Sequence, residues 1–333
     1  MRCWIVDQPG SIATHPLLEV ERPDPEPGPG EVLVRVSVCG VCRTDLHLAE
    51  GDLAPRRHGV VPGHEVVGRV EKLGPGAGRF RPGDRIGVAW LGCTCARCRF
   101  CVRGDENLCL NPRFVGWDDD GGYAELVVVR EDFAYALPEG FDDEHMAPLL
   151  CAGIIGYRAL KLSNPRPGGS LAIYGFGGSA HLAAQVARHM GIEVHVRTRT
   201  AAARALAAEL GVATIGDSAD PLPSPAGSAI LFAPAGDLVP VVMAQLDRGG
   251  TLAVAGIHLS DVPALHYQRH LFQEKRLLSV TANTRRDGEE FLDLAAQIPI
   301  KVTITPYQFA DAQKALEDLA AGRVSGAGVL RVG

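Results

Sequence analysis

The sequence predicts an α/β chain, a doubly wound parallel sheet joined to a mostly β first domain. Three observations predict it. After Pro148 apolar runs alternate with helical stretches in the order strand, Gly turn, helix, strand, the pattern of a parallel sheet wrapped by helices. Before Pro148 the apolar runs are short and broken by Gly and Pro, which suits strands and turns. With 333 residues, 46% hydrophobic and 22% charged, the chain is long enough for two domains with real cores.

Taken in order, "EVLVRVSVCG", "VVGRVEKLG", "DRIGVAW" and "GYAELVVV" read as strands of a barrel-like domain, and "RPDPEPGPGE" (22–31) as a stiff connector. "APLLCAGIIGYRAL" reads as one helix. "GSLAIYGFGGSAHLAAQVARHMGIEVHVRTRT" reads strand, turn, helix, strand, and "AAARALAAELG", "AILFAP", "LVPVVMAQLDRGG" and "TLAVAGI" continue the alternation. "DPLPSPAG" is a loop. The last stretch adds the helical "GEEFLDLAAQ" and "FADAQKALEDLAAG" and the strands "KVTITPY" and "GVLRV". No internal repeat has a fixed period.

Net charge is -6, which argues against a nucleic-acid binder, since such proteins carry a basic stripe. No stretch approaches the ~18 apolar residues of a membrane span. "MRCWIVDQPG" holds no apolar run fit for a signal peptide. The expected location is cytoplasmic, where clustered cysteines bind metal more often than they form disulfides. Of the nine cysteines, Cys3 reads as a small core residue.

"GCTCARCRFCVRGDENLC" places Cys95, Cys98, Cys101 and Cys109 in a C-x2-C-x2-C-x7-C pattern. Four thiolates so spaced meet the needs of a closed structural zinc site, with Gly104 allowing the turn before the last ligand. Four cysteines would also suit an iron–sulfur cluster. Cys93 is left over and reads as a bystander.

"YGFGGSA" supplies Gly175, Gly177 and Ala180 in a G-x-G-x-x-A arrangement between an apolar strand and a helix, the context that marks a dinucleotide site. Gly175 permits the turn, Gly177 lets backbone approach a pyrophosphate with Gly178 beside it, and Ala180 lets the helix pack close. An NAD site places Asp or Glu at the end of the second strand for the ribose hydroxyls. This chain has Thr198, flanked by Arg197 and Arg199, and Glu193 lies too early. The missing acid and the nearby guanidinium favour NADP over NAD.

"CGVCRTDLH" (39–47) begins with a C-x-x-C that suits either a redox pair or a zinc clip. Together with "PGHEVVGRV" around His64 and Glu65, and "LLCAG" around Cys151, it resembles the zinc-dependent alcohol dehydrogenases of the medium-chain dehydrogenase/reductase family. The resemblance covers essentially the whole chain, with five motifs in the family's order. It implies a GroES-like barrel domain over 1–150 and 286–333, a structural-zinc lobe at 92–110, and a Rossmann domain over 151–285. It implies Cys42, His64 and Cys151 as ligands of a catalytic zinc, hence two zincs per chain, with Glu65 as a transient ligand. Cys39 then becomes a packed strand residue.

The resemblance further implies that Asp45 fixes the His64 tautomer, and that a proton leaves a zinc-activated alcohol through Thr44, a cofactor ribose hydroxyl and His47 while hydride passes to nicotinamide. Arg43 and Arg285 resemble the family's pyrophosphate contacts. His58, His181 and His258 match no catalytic position. The expected substrate is a small alcohol or aldehyde, and the expected assembly a homodimer or homotetramer. Two rivals stand beside this reading: a polyol dehydrogenase, whose relatives carry Glu where Cys151 stands, and a non-catalytic zinc-binding regulatory module. The zinc-free quinone reductases lack Cys42, His64 and Cys151. Trp90 and Trp117 are candidates for an apolar pocket.

Overall fold

The long strand Glu31–Val41 organises the first part of the chain. Its β-branched run buries Val32 to Val34 and Val38 to Val41 and leaves Arg35 outside. Burial this continuous follows from its pairing, because Val66–Leu73, Leu126–Arg130 and Ala327–Arg331 all bond to it antiparallel. A strand with three partners must bend, and its register against Val66–Leu73 shifts after Leu33 and after Val36. Arg85–Val88, Ala134–Ala136 and Ile304–Gln308 complete a seven-stranded, barrel-like sheet.

The computed structural model describes residues 1–256 and 259–333; His258 lies outside the described residues. The chain forms two compact units. The first comprises Met1–Cys151, Ala282–Ala296 and Val302–Gly333, and the second Ala152–Thr281 with Gln297–Lys301. The sequence reading put the return crossing at 285 and left 297–301 in the first unit. Gln185 explains the later excursion: its side chain donates to the Lys301 carbonyl (3.0 Å) and accepts from the Lys301 N–H (2.8 Å). Among the described residues no helix is long and apolar enough to cross a membrane.

The second unit holds six parallel strands in the order Thr214–Gly216, Glu193–Arg197, Ser170–Tyr174, Ala226–Leu231, Leu246–Val254 and Arg276–Ser279. This is the strand order of a doubly wound dinucleotide-binding sheet. The outer strands, Thr214–Gly216 and Arg276–Ser279, escape the sequence reading because they are short and hold no fully buried residue. Helices Ala152–Ser163 and Gly178–His189 pack so closely that a side chain at Gly156 would meet the Ser179 carbonyl at 2.7 Å.

Two predicted helices are corrected. "LVPVVMAQLDRGG" is helical only over Leu238–Gln245, and its last five residues begin the strand Leu246–Val254. "APLLCAGIIGYRAL" is a 3-10 turn over Ala147–Leu150 and a helix over Ala152–Ser163. Between them Cys151 leaves helical geometry, at φ -124 and ψ -72.

Candidate metal and nucleotide sites

Cys42 ends the bent strand and starts the helix Arg43–Glu50. Its N–H donates to Asp45 Oδ2 (2.8 Å), closing the first turn. The other Asp45 oxygen accepts from the Gly63 N–H (3.0 Å) and lies 3.4 Å from His64 Nδ1. Asp45, buried, thus ties the helix start to the segment carrying His64 and Glu65. Tyr123, also fully buried, places its hydroxyl 3.5 Å from Asp45 Oδ2.

Cys42, His64, Glu65 and Cys151 each offer a ligand atom, and these atoms lie within 4.8 Å of one another. Cys42 Sγ stands 3.9 Å from Cys151 Sγ, and His64 Nε2 3.4 Å from the same sulfur. Zinc bonded to sulfur at about 2.3 Å and nitrogen at about 2.0–2.1 Å, at tetrahedral angles, separates two sulfurs by about 3.8 Å and a sulfur from a nitrogen by about 3.6 Å. The donor set therefore fits such an ion. A hydrogen bond from Cys151 is the first cause holding the Cys42 thiol well below its ordinary value, and the same bond pushes the Cys151 thiol up. Burial pushes Glu65 well above the usual carboxylate range. Burial would lower His64, but Asp45 and then Cys42 outweigh it and raise the imidazole well above its usual value. Two thiols, a carboxyl and an imidazole in one closed space form a donor set that a divalent cation would suit.

Cys95, Cys98, Cys101 and Cys109 also have their sulfurs within 4.8 Å of one another. Cys101 Sγ lies 3.5 Å from Cys98 Sγ and 4.0 Å from Cys95 Sγ. Backbone N–H groups wrap the cluster: Cys95 and Asn111 donate to Cys109 Sγ and Cys98 to Cys95 Sγ. Donors of this kind, first Cys101 N–H and then that of Leu110, hold the Cys98 thiol at about 6, while burial and the neighbouring thiols push Cys101 up to about 12. Cys93 stays outside the group, with its thiol toward the Thr94 carbonyl. All nine cysteines are free thiols. Cys39 and Cys3 are fully buried in the core of the first unit.

Of the relay candidates, Thr44 Oγ1 lies 3.7 Å from Cys42 Sγ. His47, with 18% of its side chain exposed, holds Asp52 Oδ2 2.9 Å from Nδ1. Arg43 is exposed in the first helical turn. Trp90 meets His64 edge-on at 5.0 Å and stacks with Phe114 (4.9 Å) and Trp117 (6.0 Å). Arg56 covers Trp117 at 4.0 Å. Asp52 and Phe114 were missed by the sequence reading; nothing in their local sequence marks them. His58 is a surface residue 3.5 Å from Asp7, and His181 is buried with Nδ1 on the Gly177 carbonyl.

Arg285 already has protein partners. It opens the helix Arg285–Ala295, and its Nε and Nη2 donate to both oxygens of Glu106 (3.0 and 2.7 Å) while Nη1 donates to the Asp132 carbonyl. The guanidinium also lies 4.4 Å from the centre of the Phe133 ring. Glu106 sits between Cys101 and Cys109, so Arg285 ties its helix to the cysteine lobe.

In the second unit Gly175 has φ +82, and a side chain there would meet Ala233 N at 2.7 Å. A side chain on Gly177 would point into open space, and the helix Gly178–His189 starts directly after it. Ala180 is buried against the sheet. Open space before a helix N-terminus fits a pyrophosphate. At the end of the second strand Arg197 is buried, its guanidinium donating to the carbonyls of Val196, Asp220 and Pro221. Thr198 is buried, and Arg199 is exposed beside it. Arg204 reaches back to the Thr198 carbonyl and to Asp217.

Known proteins resemble the chain over its whole length. The alcohol dehydrogenase GroES-like domain matches residues 28–139. The chain is 55% identical over 337 residues, covering 100% of it and 97% of the relative, to a Mycobacterium tuberculosis protein named "Probable alcohol dehydrogenase AdhA". It is 36% identical over 324 residues to an alcohol dehydrogenase of Geobacillus stearothermophilus, with 94% of each chain covered. Its structure is similar to that of a thermostable alcohol dehydrogenase from Pyrobaculum aerophilum with cobalt and zinc bound, at TM-score 0.89 and 27% identity, with 100% and 99% of the two chains covered.

Proposed function

The chain belongs to the zinc-dependent alcohol dehydrogenases of the medium-chain dehydrogenase/reductase family, and from that premise we propose that it interconverts alcohols with aldehydes or ketones by hydride transfer with NAD(P)(H). The observation that carries this is the convergence of Cys42, His64, Glu65 and Cys151 within 4.8 Å. A zinc held there supplies Lewis acidity toward an alcohol or carbonyl oxygen, and the nicotinamide supplies the hydride acceptor or donor. A second zinc in the Cys95, Cys98, Cys101 and Cys109 cluster is structural.

The chain's own residues do the rest. Asp45 orients His64 and makes it a better donor. Thr44 carries the substrate proton at its hydroxyl, and His47 releases it, held in place by Asp52. Glu65 stands by as a transient ligand. Trp90, Phe114 and Trp117 give the metal site an apolar aromatic wall that excludes water. The test is a panel of alcohols and aldehydes with both cofactors, on protein of measured zinc content. Two zincs per chain and alcohol-dependent cofactor reduction support the enzyme. One zinc, no cofactor binding and no turnover would point to a binding module instead.

His47→Ala should lower kcat by about a hundredfold, the ordinary worth of a positioned proton carrier. It should change the pH profile and leave both zincs in place. Activity equal to the parent across pH would remove His47 from the relay.

NADP is the favoured cofactor. With Arg197 occupied by backbone carbonyls, Arg199 is the guanidinium that serves the 2′-phosphate, beside Thr198 and near Arg204. Arg199→Ala should raise the KM for NADP about tenfold, the loss of one charge-assisted hydrogen bond, and leave that for NAD unchanged. Equal effects on both would refute the assignment. A homodimer or homotetramer and a cytoplasmic location complete the reading.

A further inference from the structure

Gly40 lies near the end of the strand Glu31–Val41, and its φ is outside the left-handed region. Backbone conformation therefore gives no reason for a glycine. Its N–H donates to the Glu65 carbonyl (2.9 Å), so the strand runs against the segment that carries the ligand candidates. A methyl group at Gly40 would lie 1.9 Å from Glu65 Oε2, 2.7 Å from Cδ and 2.8 Å from Cβ. These are the three nearest atoms, and all belong to Glu65. Real Cβ atoms do not approach so closely, and Glu65 is itself only 4% exposed, so it has little room to yield.

We propose that Gly40 is a positioning residue for Glu65: the space left by its missing side chain is the berth in which the Glu65 carboxylate rests beside Cys42, His64 and Cys151. The proposal rests on the metal-site reading above and adds a residue outside the ligand set. A methyl group at position 40 expels the carboxylate, and the expelled carboxylate competes with alcohol for the metal.

The test is a cycle of Gly40→Ala, Glu65→Gly and the two combined. Glu65→Gly is chosen because it removes all three clashing atoms. Each full-length protein is measured for melting temperature, and, after cobalt replaces zinc at the Cys42 site, for its cobalt absorption spectrum and the KM for alcohol. Gly40→Ala alone should shift the spectrum and raise the KM by about tenfold or more, the usual scale for disturbing a group that supports a metal site. In the Glu65→Gly background the same substitution should change neither spectrum nor melting temperature, a non-additivity that contact between the two residues requires. If Gly40→Ala fails to fold, the combined variant should still fold and melt like Glu65→Gly. Equal loss in both backgrounds, or no effect of Gly40→Ala in the parent, overturns the proposal. A cobalt spectrum that survives Cys42→Ala would count against the metal-site reading instead, and the melting temperatures would still decide the berth.

Discussion

Cys42→Ala should lose one of two zincs per chain and at least about a thousandfold in kcat/KM, equivalent to about 4 kcal/mol of transition-state stabilisation. The fold should survive, because the structural tasks of this residue fall to its backbone: its N–H meets Asp45 Oδ2 at the helix start. What disappears is the sulfur 3.9 Å from Cys151 Sγ, the thiol held most strongly toward its charged form in the group. His64 and Cys151 then remain as the two lasting ligands, with Glu65 only a transient one, short of the three that a catalytic zinc site uses. Cys39→Ala is the control. Cys39 is fully buried, and burial pushes its thiol well above the ordinary value. Its loss should cost about 1 kcal/mol of packing and leave both metals and turnover intact. Elemental analysis of metal content beside initial rates decides. Loss of metal from Cys39→Ala with retention in Cys42→Ala would restore the C-x-x-C pair as the acting unit.

Cys98→Ala should remove the other zinc and lower the melting temperature by at least about 5 °C, with the Cys42 site still loaded. The lobe has little else to hold it. Its helix Arg99–Val102 is four residues long and its 3-10 turn Glu106–Leu108 three, far below the length at which a helix persists alone. Val102, Leu108 and Leu110 face outward rather than forming a core. A metal with four thiolates replaces the missing core, as in other small metal-folded units. Loosening the lobe also frees Glu106 from Arg285, which opens the helix Arg285–Ala295. The effect should therefore reach beyond residues 95–109, and hydrogen exchange should rise in both segments. An unchanged melting temperature would mean that the cysteines carry no structural metal.

The parts of this architecture legible in the chain are those that local spacing dictates. The Gly-rich turn between strand and helix is read from seven residues, and the structure gives Gly175 the positive φ that the pattern demands. The cysteine lobe is read from fifteen residues, and its sulfurs do converge. Edge strands Thr214–Gly216 and Arg276–Ser279 were illegible because a half-solvated edge needs no apolar run. The break at Cys151 was hidden because the chain from Ala147 to Gly156 is apolar throughout, which fixes burial without fixing where a helix begins.

By itself, then, the sequence determined the doubly wound sheet and the four-cysteine lobe, since each depends on periodicity or on residues close together along the chain; Cys42, His64 and Cys151 became ligand candidates only through the family that their motifs resemble. Only the tertiary structure decided partners. His64 and Cys151 are 87 residues apart and meet at 3.4 Å; Arg285 and Glu106 are 179 apart, and their pairing ties Arg285 to the lobe. Gly40 reads as an ordinary strand glycine until Glu65 is seen folded over it. Side chains distant in sequence are brought together by how strands register and pack, and local spacing carries no record of that.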